Sequence, residues 1–140
     1  MMKRTAIVVT CLALGACATG PQPARPFEDP AVQKLYNLPT SLYFATLQIA
    51  GQVAQNCIRY NYDAAVDAMV NEQRNEEGRG TLSARPFTAQ IDAEVDIGKR
   101  SFAARHGVDI DAGDDLCPAA DAETAEDSAL AAVLAPVAPS

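Results

Sequence analysis

Apolar positions recur at helical spacing in several stretches of the chain, separated by proline, glycine and clustered polar residues. The clearest stripe is Leu42, Thr46, Ile49, Val53 and Cys57, at intervals of four, three, four and four, which predicts a helix starting at Pro39-Thr40-Ser41 with Cys57 on its inner face. Ahead of it, Asp29-Pro30 combines a capping acceptor with proline at the first helical position, and Pro39 stops that helix, giving a short element at about 30–37. Asp63 can cap a further helix carrying Ala65, Val66, Met69 and Val70; the pattern leaves open whether the helix before it breaks at Asn61 or runs through Tyr60 and Tyr62. Glu76-Glu77-Gly78-Arg79-Gly80 ends that helix, and the polar stretch to Pro86 reads as a loop. A third stripe, Phe87, Ile91, Val95, Gly98 and Phe102, runs to His106-Gly107, where glycine supplies the left-handed residue that closes a helix. Gly98 lies on this stripe, so a neighbouring helix backbone is expected to come close there. The last helix is expected near Cys117-Pro118, continuing through an Ala-rich run from Asp121 to Leu134, before an irregular tail over 136–140.

The N-terminal pattern differs in kind. Lys3 and Arg4 precede an apolar run from Ala6 to Ala16 that is too short to span a bilayer, which is the pattern of an export signal. Leu14-Gly15-Ala16-Cys17 follows directly and resembles a bacterial lipobox: small residues at 15 and 16 fit the lipoprotein signal peptidase, and the Cys17 thiol can take a diacylglyceryl group as a thioether. By that resemblance, residues 1–16 are a lipoprotein signal peptide and Cys17 is the lipidation site. Ala18, in place of the Asp that commonly retains such proteins in the inner membrane, implies the outer membrane, facing the periplasm, with the inner membrane as the other destination. Each buried CH₂ of an acyl chain contributes about 0.8 kcal/mol, so two or three chains give stable attachment. Residues 18–30 contain Pro21, Pro23, Pro26 and Pro30 and read, with Cys17, as an extended tether over 17–29 that reaches up to roughly 40 Å from the lipid surface.

Composition sharpens this picture. The whole chain has 140 residues and a net charge of -7; without residues 1–16 it keeps 9 basic and 18 acidic side chains, a net charge of -9. That balance argues against nucleic acid as a partner, because polyanion binding needs a basic face. Residues 107–140 contain eight acidic and no basic side chains, which predicts an acidic C-terminal face. Four cysteines reduce to two once Cys11 leaves with the signal and Cys17 is lipidated. Cys57 and Cys117, in an oxidising compartment, are read as one structural disulfide. A metal pair lacks further Cys or His ligands, and a redox couple usually places its cysteines two residues apart.

Candidate chemistry is sparse. His106 is the only imidazole, and in the last turn of a helix it is read as a capping group favoured by the helix dipole. No nucleophile elbow, phosphate-cradling loop or helical His pair accompanies it, so no catalytic residue, metal ligand or cofactor is assigned. Asp109, Asp111, Asp114 and Asp115 invite a calcium reading, but Asp114 stands where an EF-hand loop needs glycine and Ala120 where it needs the bidentate Glu. An acidic turn in which one Asp caps the next helix is expected instead.

Cys57 on an early helix, the run Ile91-Asp92-Ala93-Glu94-Val95, then Arg105-His106-Gly107-Val108-Asp109 and Cys117 opening a last helix together resemble a family of small exported bacterial helical proteins with two cysteines. The similarity covers about residues 41–134, and its most specific element is Gly-Val-Asp followed by an acidic loop and Cys. It implies an all-α fold with the disulfide and implies nothing about activity. This chain departs from the family in its lipobox, its proline tether and its long Glu/Gly/Arg loop. The expected architecture is all-α: an irregular bundle of four to five helices over residues 30–135, stapled by one disulfide. The expected function is that of a membrane-anchored, non-enzymatic accessory or structural protein docking on another envelope protein. The alternative is a small-ligand or cation-binding lipoprotein, with the ligand at the Asp109–Asp115 loop or near Tyr60 and Tyr62.

Overall fold

A computed structural model describes residues 21–79 and 88–138. Among them five helices and one two-stranded sheet follow in the order α1 (Pro30–Tyr36), α2 (Thr40–Gln55), β1 (Tyr60–Tyr62), α3 (Ala64–Glu76), α4 (Thr88–His106), α5 (Cys117–Ala125), a 3₁₀ turn (Leu130–Val133) and β2 (Leu134–Pro136). The chain is an all-α protein with a small sheet added. Asp29 caps α1 by accepting from Ala31 and Val32, with Pro30 at the first helical position, and Asp63 caps α3 by accepting from Ala65 and Val66. Gly107, at φ 68°, closes α4.

The core lies between α1, α2, α3, α5 and the 3₁₀ turn, around Val32, Leu35, Tyr43, Val53, Val66, Val70, Leu116 and Leu134. Helix α4 packs chiefly along α2, burying Ile91, Val95 and Phe102. The close approach expected at Gly98 is made by a side chain rather than a backbone: a Cβ there would stand 2.5 Å from Ile49 Cδ1. On α2 the buried face is rotated from the expected stripe. Ile49, Val53 and Cys57 are buried, while Leu42 and Thr46 are half-buried and Tyr43 and Ala45 point inward.

Three expectations change. The segment after Cys57 is a strand, with β1 antiparallel to β2 and Tyr60, Asn61 and Tyr62 opposite Pro136, Ala135 and Leu134. The expected helix from Asp121 to Leu134 therefore stops at Ala125, where Asp127 at φ 48° turns the chain. Pro136, expected in an irregular tail, is part of β2, and the Val137 amide donates to Arg59 O at 2.9 Å. Proline fits because at this end of the ladder its missing N–H is not called on.

The second change concerns the tether, which is docked from Ala24 onward. The Ala24 amide donates to Asp63 Oδ2 at 2.8 Å, Arg25 pairs with Asp29 at 3.1 Å and with Asp127 at 3.5 Å, and Phe27 meets the Tyr36 ring edge-on at 5.1 Å. The folded unit thus begins before residue 30. The third is the acidic face. Asp111 pairs with Lys99, Asp121 with Arg59, Glu123 with Arg105 and Asp127 with Arg25, so basic residues from earlier in the chain fold back over much of it.

Candidate functional site

Cys57 and Cys117 are joined by a disulfide with their Cα atoms 4.8 Å apart. It ties the C-terminal end of α2 to the start of α5, and the Leu116 amide donates to Asn56 O at 3.0 Å beside it. Both cysteines are buried. Cys17 and the lipobox lie outside the described residues.

His106 does not reach the terminal carbonyls of α4. Its Nε2 lies 2.7 Å from Glu123 Oε1 on α5, and Phe102 packs against the imidazole with ring centroids 4.6 Å apart. Arg105 Nη1 approaches the same Oε1 at 3.0 Å. Glu123 is only 2% exposed, so two donors answer a carboxylate that burial would otherwise penalise heavily. Glu123 and Arg105 also line a cleft of about 200 Å³ between α2, α4 and the 3₁₀ turn, with Leu42, Ile49, Phe102 and Leu130 among its apolar residues and Glu94, Ser101 and Ser128 among its polar ones.

The sites named from the sequence are arranged differently. In the acidic loop, Asp114 accepts from the Asp109 amide, Asp109 from the Asp111 amide and Asp115 from the Cys117 amide, but the N-cap of α5 is Leu116, so the Asp cap expected there is not made. Among the described residues no three His, Cys, Asp or Glu side chains converge as metal ligands would. Tyr60 and Tyr62 do not share a cleft. Tyr60 donates to Asp121 on α5 at 3.0 Å, whereas Tyr62 and Tyr43 donate to the two oxygens of Asp67 on α3 at 2.8 and 3.2 Å. Burial first, and then the Asp67 charge, raises both Tyr43 and Tyr62 well above the usual phenol range.

Two charged residues were not singled out by the sequence reading. Arg74 is fully buried; its Nη1 donates to Tyr36 O at 2.6 Å and Leu38 O at 2.8 Å, and its guanidinium lies 4.2 Å from the Tyr43 ring centroid. The spacing Val66, Val70, Arg74 places it on the inner stripe of α3, which was the available signal. Glu123 falls four after Ala119 on the inner face of α5 in the same way. Both act on backbone or side chains from distant elements, which spacing does not reveal.

No family model matches the chain, and neither a curated protein nor a solved structure does.

Proposed function

We propose that the chain is an exported lipoprotein, anchored in the outer membrane through acylated Cys17 and acting in the periplasm as a non-enzymatic accessory or structural protein that docks on another envelope protein. The observation that carries this reading is the lipobox Leu14-Gly15-Ala16-Cys17 behind a basic and then apolar leader. The Cys57–Cys117 disulfide agrees with an oxidising compartment. Exposed apolar side chains support docking: Ile58, 93% exposed, and Val137, 43% exposed, line one hollow with Pro136 and Ala138, beside the Arg59–Asp121 ion pair. The His106–Glu123 pair has no hydroxyl or thiol nucleophile hydrogen-bonded to it among the described residues, and no catalytic role is assigned to it.

The test is an intact mass under non-reducing conditions of protein purified from native membranes in mild detergent, together with the proteins that accompany it. A chain beginning at Cys17 with acyl additions, and two hydrogens lighter than its reduced form, is expected, with a stoichiometric partner. An unmodified thiol at residue 17 would remove the lipoprotein reading.

A second reading, a small-ligand-binding lipoprotein, is favoured by one observation: the cleft between α2 and α4 sets a buried carboxylate at the end of an apolar floor.

A further inference from the structure

The cleft between α2 and α4 has chemistry that selects among ligands. Its floor is apolar, from Leu42, Ile49, Phe102 and Leu130. Glu123 stands in its wall with both donors, His106 Nε2 and Arg105 Nη1, on Oε1. A carboxylate has two oxygens and about four acceptor positions, and both of these contacts are to Oε1. Charge points the same way. Glu94 and Glu123 line the cleft with Arg105, so two carboxylates stand against one guanidinium there, with His106 on Glu123 as the remaining titratable neighbour. A volume of about 200 Å³ is below the usual range for drug-sized ligands and suits one ring or a short alkyl chain with a polar head.

We propose that this cleft binds a small primary amine, whose ammonium donates to Glu123 Oε2 while its apolar body lies against Ile49, Phe102 and Leu130. The assignment deepens the ligand-binding reading and rests on it; it is independent of the anchor at Cys17. A carboxylate that cannot donate rejects an anion, and an alcohol offers a donor without the charge that answers the two glutamates of the cleft.

Titrating the purified full chain with phenethylamine, 2-phenylethanol and phenylacetate, followed by amide chemical shifts and calorimetry, tests this. Phenethylamine is expected to bind at least tenfold more tightly than the alcohol, with shifts centred on Gly98, Ser101 and Leu130, and phenylacetate is expected not to bind. Glu123→Gln should weaken the amine at least tenfold. Because that variant disturbs a buried cluster, Ser101→Phe provides the second test: Ser101 is exposed at the cleft, so a bulky ring there should block binding while the thermal melt stays unchanged. Equal binding of amine and alcohol, or a preference for phenylacetate, would overturn the amine assignment and keep the ligand-binding reading. Absence of cleft shifts with all three probes at millimolar concentration would remove both.

Discussion

Replacing both Cys57 and Cys117 by Ala should lower the stability of the domain by about 5 kcal/mol. The bridge closes a loop with a sequence separation of 60. In the chain-entropy treatment, a loop of that length removes about 14 cal/mol/K from the unfolded ensemble, or about 4.3 kcal/mol at 25 °C. Both cysteines are buried, so loss of the sulfur atoms adds on the order of 1 kcal/mol of packing. A domain of this size has roughly 5–15 kcal/mol in total, so the variant would sit near the edge of folding. Urea unfolding of the oxidised protein, the reduced protein and the double variant measures the effect. The reduced protein should fall within about 1 kcal/mol of the double variant, and both should show a larger m-value because the unfolded chain expands when the cross-link is lost. A difference under about 1 kcal/mol between oxidised protein and double variant would refute the reasoning, since it would mean that the unfolded chain is already compact around these two segments.

Four further perturbations test the other contacts. Arg74→Ala should cost about 3 kcal/mol in urea unfolding, because the carbonyls of Tyr36 and Leu38 lose their donor and a buried volume empties; a loss under about 1 kcal/mol would mean that burying the charge cancels those gains. Gly98→Ala should destabilise by about 1 kcal/mol, the clash with Ile49 Cδ1 outweighing better helix propensity, and adding Ile49→Val, which removes that methyl, should restore the thermal midpoint. Tyr43 and Tyr62 have folded pKa values raised above the usual phenol value of 10.0, so their contribution is complete below pH 10 and is lost as pH rises toward the folded values. The decline should reach about 1.4 kcal/mol per pH unit for each phenol, and Tyr43→Phe or Tyr62→Phe should flatten it in urea midpoints taken between pH 9 and 11; an unchanged slope would contradict the assignment. Asp63→Asn should keep an oxygen for the α3 cap yet replace the acceptor of the Ala24 amide, so hydrogen exchange should become fast at Ala24 while Ala65 and Val66 stay protected; a fast-exchanging Ala24 in the unaltered protein would mean that the tether is not docked.

Local chemistry was legible and long-range pairing was not. The caps at Asp29 and Asp63, the closing Gly107 and the inner positions Ile91, Val95 and Phe102 each depend on residues within a turn or two, and the pattern supplies them directly. The disulfide followed from counting cysteines. The strand at Tyr60–Tyr62 was ambiguous because three residues are too few to establish a period of two, and its partner Leu134–Pro136 lies more than 70 residues away, inside what reads as a helix followed by a proline tail. The Ala-rich run has high helix propensity, but Leu130–Leu134 is buried almost continuously, which a surface helix with one apolar edge cannot achieve. The candidate cleft was hidden for a similar reason. His106 was conspicuous as the sole imidazole, yet its partner Glu123 stands 17 residues on, among acids that look alike until the fold buries one of them.

Docking of the tether from Ala24 onward changes what the proposed anchor can do. Thirteen extended residues would let the domain range up to roughly 40 Å from the bilayer. With the Ala24 amide bonded to Asp63, residues 17–23 separate an acylated Cys17 from the first docked residue. Those seven residues reach at most about 25 Å. A lipidated form would then hold the N-terminal end of α3 within about that distance of the headgroups. Asp63 is therefore the residue on which both geometries turn, since one oxygen starts α3 and the other sets the length of the tether.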